Sequence, residues 1–179
     1  MNNYSFRVFG EEFDGSKLFA NGSCSSIYTS GKSSSDLFYN QEAPKSLVKI
    51  VHPKKSDSKL EGLRFLLEAY VGVNLNNSEI TMVEEFSFFN NSNPNSRHNL
   101  AIKIPYMGTS LIQTFENYKL KGKDMPLVEL LNCFSSIAYS IHQIHSRGII
   151  NRDIKPDNIV GQNGNWHLID FGISKVVSS

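Results

Sequence analysis

Residues 126–145 repeat apolar side chains at intervals of three and four: Leu127, Leu130, Leu131, Phe134, Ile137, Ala138, Ile141 and Ile144. That spacing predicts a helix with one apolar side. Pro126 suits its first turn and Gly148 its C-terminal cap. Ser135, Ser136, Tyr139, His142 and Gln143 occupy the other side. Upstream the pattern shortens to that of strands. Residues 45–51 and 100–104 are short apolar runs, and 80–89 reads as a third strand joined to the last by an Asn-rich turn over 90–99. Between the first two, a helix starting near Ser56 and Asp57 would carry Leu60, Leu63, Leu67, Tyr70 and Val71 on one stripe. Residues 17–19 and 26–29 read as strands around a polar turn at 20–25, and 29–44, rich in Ser, Gly and Asn, as an enlarged loop. Downstream, Asn163-Gly164 between alternating apolar residues predicts a tight hairpin, because a type I′ turn needs positive φ at both centres.

Composition narrows the class. The chain has 179 residues, 40% of them hydrophobic, which is enough for one compact domain or two small lobes. Its net charge of +1 gives no reason to expect nucleic acid, and the lysines near 45–59 are interleaved with Asp57 and Glu61. No apolar run is long enough to cross a membrane as a helix. Cys24 and Cys133 lie far apart without a metal-ligand pattern, which favours free thiols in a reducing compartment, hence the cytoplasm. His142 and His145 read as helix-end residues rather than metal ligands.

Two features carry chemistry. Lys49 sits inside the apolar run 45–51, where burial is expensive unless the charge is paired, and Glu68 on the following helix is the expected partner, with Glu61 as the alternative. Further on, Asp153, Lys155, Asn158 and Asp170 cluster around the predicted hairpin. A transferring phosphoryl group needs a carboxylate to aim its acceptor hydroxyl, a cation on the moving phosphate and oxygen ligands for Mg²⁺. Asp153 would accept or orient the hydroxyl proton, Lys155 would reach the phosphate, and Asn158 and Asp170 would hold the metal.

In Asn151-Arg152-Asp153, the Asp153-to-Asn158 spacing and Asp170-Phe171-Gly172, the chain resembles the eukaryotic-type protein kinases, with a Ser/Thr-like Lys155. The resemblance implies a two-lobed α+β fold over about residues 15–175: a β-rich N-lobe at 15–105, and a reduced helical C-lobe at 106–179. It implies ATP and Mg²⁺ as cofactors and a protein as substrate. Lys49 and Glu68 would form the pair that positions the phosphates. Gly22, the one glycine kept of the usual three in the phosphate-covering loop, would contact nucleotide together with Ile27 and Val160. Ile104 would guard the back of the adenine pocket, and the backbone of Tyr106 and Met107 would bond the adenine edge.

Departures from the family are also legible. Leu47 stands where a small residue usually roofs the adenine, and overpacking there would cost on the order of 1–3 kcal/mol. Asn151 replaces the usual histidine and Gly72 a larger helix residue, so packing beneath Phe171 should be reduced, and the active arrangement either held less tightly or supported by something else. The sequence stops seven residues after Gly172. Arg152 then lacks the phosphorylated loop it often pairs with in the family, and the 126–145 helix should be partly bare. In this layout the chain is similar to short bacterial effector kinases, which are delivered into host cells and engage ubiquitin-conjugating complexes. By that analogy a protein partner would cover the helix. The leading expectation is a protein serine/threonine kinase. The alternatives are a kinase-shaped binding module and a piece of a longer kinase.

Overall fold

The computed structural model describes residues 5–21, 25–31, 43–51, 58–75, 83–89, 99–162 and 164–177, with 58–61 as backbone. They form two compact units, 1–69 with 83–106, and 70–82 with 107–179.

The first unit opens with a hairpin, β1 (Phe6–Val8) and β2 (Glu11–Phe13), turned at Phe9 and Gly10, which both have positive φ (53° and 73°). Then come β3 (Leu18–Asn21), β4 (Ser25–Thr29), β5 (Ser46–Val51), helix α1 (Ser58–Asn74), whose residues from Tyr70 on fall in the second unit, β6 (Glu85–Phe89) and β7 (Asn99–Pro105). The five strands after the hairpin form one antiparallel sheet in the order β3-β4-β5-β7-β6. Side chains alternate across it. Val48, Ile50 and Ala101 on one face pack with Phe89, Val8 and Phe13, so the hairpin covers that face. On the other face Val51 and Ile102 pack with Phe65 and Ala69 of α1.

The hairpin lies outside the span expected of the fold, yet it supplies part of this core. Phe6 stacks on Phe13 at 5.3 Å and meets Tyr28 edge-on at 5.2 Å. Glu11 latches it to the open end of the β3–β4 ribbon, where β3 begins and β4 finishes, accepting from Lys17 Nζ (2.6 Å), Gly31 N (2.6 Å) and Ser30 Oγ (2.8 Å). Phe13 is fully buried. Phe13→Ala should therefore destabilise the chain by about 3–5 kcal/mol. Denaturant unfolding checks this, and a loss below about 1 kcal/mol would mean that the hairpin is not part of the core.

Two expectations are corrected here. Residues 20, 21 and 25 are strand rather than turn, so only 22–24 separate β3 from β4, and these lie outside the described residues. On α1 the expected stripe is rotated: Leu63 is 63% and Tyr70 58% exposed, whereas Phe65 is 2% and Ala69 6%. The apolar positions permit either stripe, and pairing of Glu68 with the sheet selects the one that flanks it.

The second unit contains β8 (Thr109–Ser110), α2 (Leu111–Leu120), α3 (Leu127–His145), β9 (Ile149–Ile150), a 3₁₀ turn at Pro156–Asn158, β10 (Ile159–Gln162), β11 (Asn165–Leu168) and β12 (Lys175–Val176). β10 lies between β11 and β8, and β9 pairs with β12. Gln162 opposes Asn165, and Gly164 has φ +83°, the hairpin that Asn-Gly predicts; residue 163 lies outside the described residues. Only one strip of α3 is buried, formed by Cys133, Ile137, Ser140 and Ile144. Burial pushes the Cys133 thiol up to about 11, with Glu129 adding to it, so it stays protonated and apolar in character. Leu127, Leu131 and Phe134 are exposed. No described helix is long and apolar enough to cross a membrane. The class is the expected α+β.

Candidate functional site

In the first unit Lys49 lies on the α1-facing side of the sheet, opposite Ile27 and Ile102. Its ammonium reaches both carboxylate oxygens of Glu68 at 2.8 and 2.7 Å, with the two side chains 15% and 12% exposed. A lysine within an apolar strand thus has the partner that burial demands. Glu61 is not described at the side-chain level.

The next row on that face is Thr29, Leu47 and Ile104. Leu47 is buried and Ile104 half-buried. Tyr106 N donates to Lys45 O at 3.0 Å, so that amide is committed within the unit and its carbonyl is the group left for an adenine edge. The Tyr106 ring meets Phe19 edge-on at 6.1 Å. Phe19 was not expected at the site; an aromatic residue just before the polar turn is the signal that could have found it. Gly22 lies outside the described residues.

In the second unit Asn158 lies in the 3₁₀ turn and donates to Asp153 O (2.9 Å) and Oδ2 (2.8 Å). Both donations come from its nitrogen, which fixes the amide orientation and leaves Oδ1 without a donor among the described residues. Lys155 Nζ lies 2.9 Å from Asp153 Oδ2. The hydrogen bond from Lys155, with that from Asn158, holds the Asp153 carboxyl below the usual carboxylate range. In turn the bond to Asp153 raises the Lys155 ammonium, and the charges of Asp153, Asp170 and Asp157 add to this, so Lys155 and Asp170 share one electrostatic environment.

The β10–β11 hairpin brings the segments together as its turn predicts: Ile169 N donates to Asn158 O at 2.9 Å, adjoining Asp170. Val160, on β10, opposes Ser110 and His167. Met107 begins the longer segment of this unit, and Gly108 follows it at φ +105° with the Gly161 carbonyl against its α-carbon.

Residues 151–153 and 170–174 are cross-linked. Asn151 Nδ2 donates to Asp170 O (3.1 Å) and its Oδ1 accepts from Asp153 N (2.9 Å). Arg152 Nε donates to Ile173 O (2.7 Å), and Ser174 Oγ to Asn151 O (3.3 Å). Arg152 and Asp170 both have left-handed φ, 69° and 63°, a conformation that costs an ordinary residue about 1–2 kcal/mol and that these bonds hold in place. Of the two expectations around Asn151 and Gly72, looser holding or support from something else, the second fits: Asn151 is 1% and Phe171 2% exposed, and Gly72 is buried. Hydrogen bonds do what packing was expected to lose. Arg152, expected to be without the phosphorylated loop it often pairs with in the family, is engaged by the backbone carbonyls of Ile173 and Ser174.

Helix α2 was not anticipated, although its signal is present. Ser110 accepts from Gln113 N while Gln113 Oε1 accepts from Ser110 N, a capping box whose two residue types stand in the sequence. It packs against the 156–158 turn and so supports Asn158.

The family model for the protein kinase domain matches residues 29–179. Among curated proteins the chain is similar to the probable serine/threonine-protein kinase fnkB of Dictyostelium discoideum, 35% identical over 81 residues, covering 44% of this chain and 15% of that protein. The probable serine/threonine-protein kinase nek1 of the same organism is 33% identical over 110 residues, 51% of this chain and 22% of that protein. A protein of Corynebacterium efficiens named serine/threonine-protein kinases drp72 is 28% identical over 134 residues, 74% of this chain and 25% of that protein. The chain therefore spans a quarter or less of the length of these three relatives. With the family model covering most of its residues, and the buried Lys49–Glu68 pair and the Asp153–Asn158 linkage both present, this chain belongs to the protein kinase family.

Proposed function

We propose that the chain transfers the γ-phosphate of ATP to a serine or threonine hydroxyl of a protein. The observation that carries this reading is the Asp153–Lys155–Asn158 arrangement, in which one carboxylate is held ionised by a neighbouring ammonium and amide. With its pKa lowered, Asp153 is a weak base, so its part is to accept the hydroxyl's hydrogen bond and aim its oxygen. Lys155, still charged, neutralises the transferring phosphate. Lys49, fixed by Glu68, engages the phosphates of ATP.

The donor set suits Mg²⁺, a cation that takes hard oxygen ligands: the free Oδ1 of Asn158 and the carboxylate of Asp170 would hold it. Bound there it would supply charge neutralisation for the phosphates. In the first unit Ile27, Ile104 and the Tyr106 carbonyl would contact the base and sugar of ATP, and in the second Val160 and the Met107 backbone are the candidates for such contacts.

The test is transfer of label from γ-labelled Mg²⁺-ATP to a generic basic protein, followed by identification of the labelled amino acid. Phosphoserine or phosphothreonine is expected, with Lys49→Ala lowering the rate about 100-fold or more. Label found solely on tyrosine would overturn the acceptor class. The same assay has a pH signature. Because Asp153 is shifted downward, it is ionised throughout the neutral range, and at saturating Mg²⁺-ATP the rate should change less than about threefold between roughly pH 8 and 6. A tenfold loss per unit across that window would contradict the role given to Asp153.

A second reading, a kinase-shaped module that holds a protein partner, is favoured by the exposed Leu127, Leu131 and Phe134 on α3. It predicts uptake of an apolar-surface dye by the isolated chain. A strictly monomeric chain that binds no dye would contradict it.

A further inference from the structure

We propose that Asn151 is the positioning residue that sets the two carboxylate-bearing loops relative to each other, a proposal that rests on the kinase reading. Its side chain is buried at 1% exposure and acts in both directions: Oδ1 accepts from Asp153 N at 2.9 Å, and Nδ2 donates to Asp170 O at 3.1 Å. A single rigid amide thus spans the backbones of the residue that aims the hydroxyl and the residue that would hold the metal. Its main chain completes the link by accepting from Ser174 Oγ at 3.3 Å.

The chemistry demanded at this position is specific. The Asp153 amide needs an acceptor and the Asp170 carbonyl needs a donor at the same time, and a neutral carboxamide offers both. An aliphatic side chain offers neither, so both of these part-buried hydrogen bonds are lost. A carboxylate offers the acceptor alone and turns an oxygen toward the Asp170 carbonyl. Asp170 stands at φ 63°, so its carboxylate direction is sensitive to how its own carbonyl is held. Losing the Nδ2 donation should therefore loosen the metal-holding side chain, while nucleotide contacts made by Lys49 persist.

The experiment compares the full chain with Asn151→Asp, Asn151→Leu and Asn151→His, each assayed below its melting midpoint. Half-saturating Mg²⁺, KM for ATP and kcat are measured. Asn151→Asp, near-isosteric with the native residue, should raise half-saturating Mg²⁺ at least tenfold with KM for ATP within about twofold. Asn151→Leu should do the same and also lower kcat, since Asp153 N loses its acceptor as well. Asn151→His, which retains a ring donor for the Asp170 carbonyl, should restore the Mg²⁺ requirement to within about threefold of the parent. A merely structural role would lower melting midpoints without moving the Mg²⁺ requirement, and half-saturation within twofold of the parent in both Asp and Leu variants would overturn the proposal.

Binding of Mn²⁺ with ADP, followed by the loss of the free-ion electron paramagnetic resonance signal, gives a readout independent of turnover. If the parent binds Mn²⁺ but transfers no phosphate, the kinase reading fails. The positioning role is then decided by whether Asn151→Asp weakens that binding tenfold or leaves it unchanged.

Discussion

Asp153→Asn should lower phosphate transfer roughly 10³-fold while leaving the melting midpoint within about 2 °C of the parent. The side chain is 28% exposed, and its neighbours Lys155 and Asn158 can meet the amide's oxygen, so the fold does not depend on its charge. The reaction does. An amide at this position cannot accept a proton from the acceptor hydroxyl, and it no longer holds Lys155 by an ionic hydrogen bond. The expected signature is a fall in kcat with little change in KM for ATP, because Asp153 is assigned to the hydroxyl and not to the nucleotide. Circular dichroism alongside initial rates checks both halves. Equal rates for parent and variant would remove Asp153 from the reaction.

Gly108→Ala should be the most damaging single change to the second unit. Its φ of +105° is one that L side chains rarely adopt, and a β-carbon would stand 2.1 Å from the Gly161 carbonyl oxygen and 2.4 Å from its carbon. Both obstacles are backbone, so no side chain can swing aside. The strands β8 and β10, which meet here through Gly161 and Thr109, would have to part. A loss on the order of 3–5 kcal/mol follows, which would lower the melting midpoint by about 10 °C or more. β10 begins immediately after Asn158, so transfer should fall with it. Gly122, also at positive φ but with open space around it, is the control: Gly122→Ala should be far milder. Equal destabilisation by the two would show that the close approach at Gly108 does not matter.

Much of this was legible in the sequence where one physical demand had one answer. A lysine inside an apolar strand required a partner, and Glu68 provides it. Asn163-Gly164 between apolar residues required a two-residue hairpin, and the register Gln162–Asn165 agrees. Legibility failed where two answers satisfied the same pattern. On α1, period alone allowed a stripe through Leu63 and Tyr70 as readily as one through Phe65 and Ala69; the direction of Glu68 distinguishes them. On α3 the apolar positions outnumber those that are buried, so periodicity predicts the helix but not which strip faces its neighbours.

The N-terminal hairpin was missed for a different reason. Its strands are three residues each, and its turn places Phe9 at φ 53°, where no turn preference would put phenylalanine. Its support comes from partners distant in sequence, Tyr28 and Phe89 against Phe6 and Phe13, and from the Glu11 latch. Asn151 leaves open, in the sequence, what takes the place of lost packing, because volume alone does not say. Its two hydrogen bonds replace packing by directional links, which no count of methylenes reveals.

The most direct test is incubation of the purified chain with γ-labelled ATP and Mg²⁺ beside Asp153→Asn, with the melting midpoint followed in the same buffer. The expected result is acid-stable label on a protein hydroxyl with the parent alone, together with a rise in melting midpoint on addition of Mg²⁺-ATP for both proteins. Absence of label in both, with no rise in either midpoint, would contradict the assignment of these residues to phosphoryl transfer.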